Sequence, residues 1–167
     1  LNNQAAVEFV KADINRLVSA TFTVSQPNSW VTISRFTDAV NNNEFMRIVD
    51  NNGVGGGRQL FGGFNSTQWV GLAGSVVTFN RAPDNAPTIG VFYVNGATSW
   101  IEINRVRSGN LSPGNSGVGS IGIGSDGGSS HLSAAVAFVG LYSGDLTTDV
   151  QWPTFLTWAT NTYVIKG

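Results

Sequence analysis

Large apolar and polar residues alternate along most of this chain with a period of two. Trp30-Val-Thr-Ile-Ser-Arg-Phe36 is a clear example, and Thr21-Phe-Thr-Val24 precedes it. Successive side chains leave a strand on opposite faces, so this alternation predicts half-buried strands. Between these two, Ser25-Gln-Pro-Asn-Ser29 reads as a turn or bulge, because Pro27 has no N–H for a sheet ladder. Further strands are expected over residues 44–49, 58–64, 68–71, 75–80, 88–94, 100–103, 121–124 and 134–142. Residues 75–80 and 88–94 read as an antiparallel pair joined by the loop Arg81-Ala-Pro-Asp-Asn-Ala-Pro87. Asn95-Gly96 predicts a type I′ hairpin into residues 100–103, since both residues tolerate positive φ. Residues 53–57 and 108–117 read as loops.

Two segments depart from the strand pattern. Val7, Val10, Ile14 and Leu17 have helical spacing, but residues 5–10 can equally form a strand followed by a loop. The strand is the preferred reading, because Val7 and Val10 are β-branched and flank Phe9. Residues 148–159 predict a helix, with Thr147 or Thr148 as cap and Pro153 confined to the first turn. Phe155, Leu156, Trp158 and Ala159 would dock it on a sheet. Neither repeats nor a linker divides the chain, so residues 1–167 read as a single all-β domain: a two-sheet antiparallel β-sandwich with one short C-terminal helix.

Composition narrows the function classes. Charged residues are only 11% of the chain, against about 25% in ordinary globular domains. Asn, Ser, Thr and 21 Gly carry the polarity instead, as in extracellular, sugar-facing or virion proteins. A net charge of −1 with scattered arginines excludes the concentrated basic face that nucleic acid requires. The absence of cysteine excludes disulfides, thiolate metal sites and cysteine nucleophiles. No run approaches the ~18 apolar residues of a membrane-spanning helix, and no signal-peptide pattern opens the chain. Leu1 implies a trimmed or excised chain, since initiator methionine is normally removed only before small residues.

Several phrases occur together in a known order. They are Thr23-Val-Ser-Gln-Pro-Asn-Ser-Trp-Val31, Val76-Val-Thr-Phe-Asn80, Val94-Asn-Gly96, Ile121-Gly-Ile-Gly124, and the run 136–142 with its polar break Ser143-Gly-Asp-Leu-Thr-Thr148. In this order they resemble the concanavalin-A-like, laminin-G-like jelly-roll domains, in the branch common in bacteriophage and environmental proteins. Two features depart from that pattern: Ser133-Ala-Ala135 stands where a glycine is usual, and the strand after it carries no acidic residue. The resemblance implies roughly a dozen antiparallel strands, with function on a concave face or at loop tips. Its members bind carbohydrates or proteins, decorate virions or hydrolyse polysaccharides, and fold alone does not choose among these.

Candidate chemistry is sparse. Glycoside hydrolysis needs two carboxylates roughly 5–10 Å apart, and no Glu-x-Asp-x-Glu string occurs; Glu8, Glu44 and Glu102 stand isolated, and Glu102 reads as solvent-facing. His131 is the only histidine and no Gly-x-Ser-x-Gly elbow accompanies it. Gly117-Val-Gly-Ser-Ile-Gly122 spells a dinucleotide motif but enters a β-run, whereas phosphate binding needs a following helix N-terminus. Calcium would need six or more oxygen ligands, and Asp50-Asn-Asn52 with Ser125 and Asp126 offers only turn chemistry. No cofactor or metal is expected.

Sugar binding remains. It requires an exposed aromatic face flanked by polar groups, and Trp69 (with Asn65 and Gln68) and Trp100 (with Asn95 and Arg105) have that setting. The competing reading makes both strand tryptophans core, as Trp30 and Trp158 also read. Arg105 and Arg107 would share one face of a solvated edge strand. The expectation is therefore a non-enzymatic virion-surface or extracellular domain, such as a phage capsid decoration or tail-fibre module. Its expected partners are viral capsid or tail proteins, further copies of itself (a trimer included) and cell-surface glycans, without nucleic acid or membrane insertion. The alternative is a carbohydrate-binding module of a secreted bacterial protein.

Overall fold

A computed structural model describes residues 4–10, 16–37, 45–50, 59–65, 67–83, 85–124 and 132–165. The strands are β1 Val7–Phe9, β2 Leu17–Val18, β3 Asn28–Phe36, β4 Phe45–Asp50, β5 Gln59–Phe64 and β6 Gln68–Ala73. After them come β7 Val76–Phe79, β8 Thr88–Val94, β9 Trp100–Ile103, β10 Val106–Arg107, β11 Gly122–Ile123 and β12 Ala134–Ser143. The helix α1, Trp152–Tyr163, closes the order. The strands form two six-stranded sheets, β1-β12-β3-β8-β9-β10 and β2-β11-β4-β5-β6-β7, with antiparallel pairing throughout. The two-sheet sandwich with one terminal helix is the architecture expected from the sequence.

The sheets face each other through a core that includes Trp30, Phe92, Ile101 and Val136 of the first sheet and Phe61 and Trp69 of the second. Two phenyl rings set the approach. A Cβ at Gly90 would stand 2.7 Å from the Phe61 ring, and one at Gly71 would stand 2.6 Å from the Phe92 ring. Each ring therefore occupies the space that a side chain opposite would need, and the two rings stack at 5.9 Å. A hydrogen bond also crosses the core: Trp30 Nε1 donates to Gln59 Oε1 at 2.8 Å. Gln59 Nε2 in turn donates to the Ser116 carbonyl at 2.5 Å. Gln26 Nε2 donates to the same carbonyl at 3.0 Å, and Gln26 Oε1 accepts the Gly96 N–H at 2.9 Å. The Gln26–Pro27 peptide is cis. Residues 114–116, expected as a plain loop, are thus tied to the second sheet and to the Gln26 side chain just before β3.

The outer face of the first sheet carries a second apolar cluster. Val31, Ile33, Ile89, Val91 and Trp100 lie under Trp152, Ala159, Tyr163 and Ile165. Trp152, Phe155, Ala159 and Tyr163 recur every three or four residues and form the stripe of α1 that docks. This explains one departure from the alternation pattern. β3 is buried on both faces, because α1 covers the side that a half-buried strand would show to water. Val164 takes a left-handed conformation (φ 50°), and Ile165 lies buried in the cluster just beyond it.

Other expectations need correction. Residues 75–80 and 88–94 do not pair: β7 joins β6 in one sheet and β8 joins β3 and β9 in the other. The proline loop is therefore a crossover between sheets. Asn95-Gly96 is no two-residue hairpin, because Asn95 has φ −154° rather than the positive φ of a type I′ turn and Gly96–Thr98 forms a 3-10 turn. Ser99 Oγ accepts the Asn95 N–H at 2.8 Å and so fixes the longer connection. Of residues 21–24, only Val24 bridges, to Val118. Val7–Phe9 is a strand, as preferred over the helix. Thr147 and Thr148 lie in a separate 3-10 turn, Leu146–Thr148, capped by Asp145, and Gln151 precedes α1 instead. Pro153 does sit in the first helical turn. The expected loop over 53–57 lies outside the described residues.

Gln59 is fully buried, so losing its amide leaves the buried Trp30 indole N–H without its acceptor, while the Ser116 carbonyl keeps the Gln26 donor. Gln59→Met should cost about 1–3 kcal/mol of stability, read as a lower urea midpoint at unchanged slope. An unchanged midpoint would show that the cross-core bond contributes nothing net.

Candidate functional site

The residues proposed from sequence fall in separate places. Trp69 is only 1% exposed, with the Phe36 and Phe61 rings at 5.6 and 5.4 Å, so it has no face to offer a sugar. Asn65 adopts φ 48° and accepts from Thr67 N and Oγ1 at 2.9 and 2.7 Å, which makes it a turn former. Trp100 is 5% exposed, with Tyr93 packed against it at 5.3 Å and the Arg107 guanidinium 3.6 Å from its ring centroid. Arg105 is exposed in the β9–β10 turn at φ 67°. Trp69 belongs to the second sheet, Asn65 follows β5 of that sheet, Trp100 belongs to the first sheet, and Arg105 lies in the turn after β9. His131, Ser125 and Asp126, the Asp50 side chain, Asn51 and Asn52 lie outside the described residues. Among the described residues, no three His, Asp or Glu side chains gather to hold a metal.

Glu102 is buried rather than solvent-facing. Arg107 reaches back across the β9–β10 edge and pairs with it, Nη2 to Oε2, at 2.9 Å. The same guanidinium lies over Trp100 and donates to Thr147 Oγ1 at 3.1 Å. Arg107 thus ties the Leu146–Thr148 turn to the first sheet. The other side of that turn is held by Ser29, whose Oγ donates to the Gly144 carbonyl at 2.6 Å and accepts the Leu146 N–H at 3.1 Å. Asp145 closes the turn by accepting from Thr147 N and Oγ1 at 2.9 and 2.7 Å.

This fixed turn forms one wall of a cleft of about 310 Å³. Val31 and Phe138 line it from the first sheet, Leu146 from the turn, and Trp152 and Phe155 from α1. Tyr142, Asp149 and Gln151 supply its polar groups. The aromatic walls are ordered among themselves: Trp152 stacks on Phe155 at 5.3 Å, and Phe155 packs on Phe138 at 5.3 Å. Asp149 accepts from Tyr142 Oη at 2.8 Å and from the Gln151 N–H at 2.8 Å. These two donors hold its carboxyl below the usual carboxylate range, the Gln151 N–H contributing more. The same contact pushes the Tyr142 phenol above its ordinary value, because losing the proton would break the hydrogen bond and set two negative charges together. Asp149 is therefore a charged acceptor and Tyr142 a neutral donor at physiological pH.

Sequence reasoning placed residues 143–148 in a polar break and missed the cleft they help to form. The available signal was the same-face aromatic pair Phe138 and Tyr142 followed by Asp149-Val-Gln-Trp152, an aspartate just before a helix start. Trp158, expected to pack, does so in part: its ring meets Phe138 of β12 edge-on at 6.5 Å, Phe155 at 5.5 Å and Tyr163 at 5.7 Å, while 45% of the residue stays exposed.

No protein-family model matches the chain, and no curated protein matches it in sequence. Solved structures do match in shape. A structure described as HCR/D-Sa-GBL1/C aligns with TM-score 0.54 at 13% identity, over 87% of this chain and 47% of that one. A Trypanosoma rangeli sialidase in complex with sialic acid aligns with TM-score 0.57 at 11% identity, over 84% of this chain and 24% of that one. The chain has the jelly-roll type of β-sandwich seen in these proteins. It spans about half of the first and about a quarter of the second. A variant of human galectin-16 aligns over its whole length with TM-score 0.49 at 13% identity, over 83% of this chain. No described helix is long and apolar enough to cross a membrane.

In Asp149→Asn the charge next to Tyr142 is gone, and the phenol should titrate closer to the ordinary tyrosine value. Tyrosinate absorbance followed through alkaline pH checks this, and identical titrations of variant and parent would deny the contact.

Proposed function

We propose that this domain is a non-enzymatic carbohydrate-recognition module of an extracellular or virion-surface protein. The observation that carries the reading is the aromatic-walled cleft under α1, with Asp149, Tyr142 and Gln151 among its lining groups. Sugar rings offer apolar C–H faces and a girdle of hydroxyl donors, so they suit aromatic walls joined to a charged acceptor. The volume is at the low end of small-molecule sites, which run from about 300 Å³, and so fits one sugar residue rather than a long chain. The sialidase that shares the fold, crystallised with sialic acid, supports a sugar-handling setting.

The absence of turnover belongs to the same reading. Among the described residues, Asp149 is the only carboxylate lining the cleft, while Asp145 and Glu102 are engaged with Thr147 and Arg107. Two-carboxylate glycoside hydrolysis needs a second acid facing the first. A phenol held protonated, as Tyr142 is, serves as a donor rather than a nucleophile.

A glycan-array screen of the purified domain should give a specific hit that Asp149→Asn weakens at least tenfold and Trp69→Phe leaves unchanged. Silence across the array, or a hit indifferent to Asp149, would sink the site.

A second reading, that the domain holds protein partners on a virion surface, is favoured by Val150, Trp158 and Val164, which are 85%, 45% and 57% exposed. It predicts a dimer or trimer in light scattering that Trp158→Ser converts to monomer. A monomer at every concentration would exclude self-association through α1.

A further inference from the structure

The cleft differs from a flat sugar platform in having an apolar interior. Val31, Phe138, Leu146, Trp152 and Phe155 bring no side-chain acceptor to it, and Trp152 can only donate. An unsubstituted hexose carries a hydroxyl on nearly every ring carbon. Seating it there would bury hydroxyls without partners, the costly way to lose a hydrogen bond. A sugar with one short apolar substituent avoids that cost, provided its polar groups stay with Asp149 and Gln151. The charge at the site adds a second filter. Among the described residues, Asp149 is the only charged one lining the cleft, and Arg107, the nearby guanidinium, is engaged with Glu102 and Thr147. An acidic sugar would bring its negative charge against the Asp149 carboxylate with no cation among the described lining residues to offset it.

We propose that the cleft selects neutral N-acetylhexosamines, seating the acetamido methyl among Phe138, Leu146, Trp152 and Phe155 while ring hydroxyls and the amide N–H donate to Asp149. This rests on the carbohydrate reading and refines it. Beyond the ring C–H faces, the methyl group adds the most apolar part of such a sugar, and the four surrounding side chains, three of them aromatic, match it in chemistry. The acetamido N–H is a donor adjacent to that methyl, so one substituent can address both the apolar interior and the carboxylate. Leu146 is then a specificity-determining residue, because its turn is locked by Ser29, Asp145 and Arg107 and cannot drift to fit other shapes.

The test is saturation-transfer NMR and calorimetry on the whole chain with methyl glycosides of N-acetylglucosamine, N-acetylgalactosamine, glucose and galactose, and with a sialylated trisaccharide. At least one N-acetylated sugar should bind about tenfold or more tighter than its parent hexose, with its methyl protons showing the strongest saturation. The sialylated probe should bind more weakly than either N-acetylated one. Leu146→Trp should fill the pocket and abolish the N-acetyl preference. Leu146→Ala should enlarge it and reduce the preference, which guards against a single variant that fails to fold. Equal binding of hexose and N-acetylhexosamine, or preference for the sialylated probe, overturns the inference and leaves the carbohydrate reading standing. No binding by any sugar overturns both.

Discussion

Everything in this structure depends on how closely two sheets are allowed to approach. Phe61 sits where a side chain on residue 90 would be, and Phe92 sits where one on residue 71 would be. This reciprocal notch lets two phenyl rings stack in the middle of the core instead of holding the sheets apart. It also brings Trp30 within hydrogen-bonding reach of Gln59 on the facing sheet. A buried amide is tolerable only when satisfied, and Gln59 is satisfied because the 114–116 segment presents the Ser116 carbonyl to it. Core packing and loop placement are therefore one problem with one solution.

The rigidity of that core reaches the cleft through β3 and β12. Trp30 points inward to the Gln59 chain while its neighbour Val31 points outward into the cleft. Ser29, one residue earlier on β3, fastens the turn that carries Leu146. Three consecutive residues of one strand thus serve the turn, the core and the cleft in succession. Alternation along a strand converts adjacency in sequence into different tasks on its two faces.

That economy also explains what was legible in the chain. Strand existence could be read, because each of 30–36, 88–94 and 134–142 carries its own apolar pattern. Partnership could not be read, because a pattern says that a face is buried and not what buries it. Residues 75–80 and 88–94 looked like neighbours across a proline loop, yet a loop of that length serves a hairpin or a crossing between sheets equally well. Trp69 and Trp100 looked equivalent for the same reason. The core rings cover Trp69, whereas Tyr93 and Arg107 cover Trp100. The cleft was least legible of all. Its lining comes from Val31 and from residues 138–155, brought together only once α1 has folded back across β3 and β12.

The floor of the cleft is strand and its opposite wall is helix. The two walls separate if α1 lifts from the sheet, and the cleft then no longer exists. Anything that occupies it must add its binding free energy to helix docking, so occupancy and docking are thermodynamically linked. A bound molecule would slow amide exchange in α1 more than in β4–β6, which lie across the core. By the same reciprocity, any change that loosens the helix, however far from the cleft, registers as weaker affinity before it registers as unfolding.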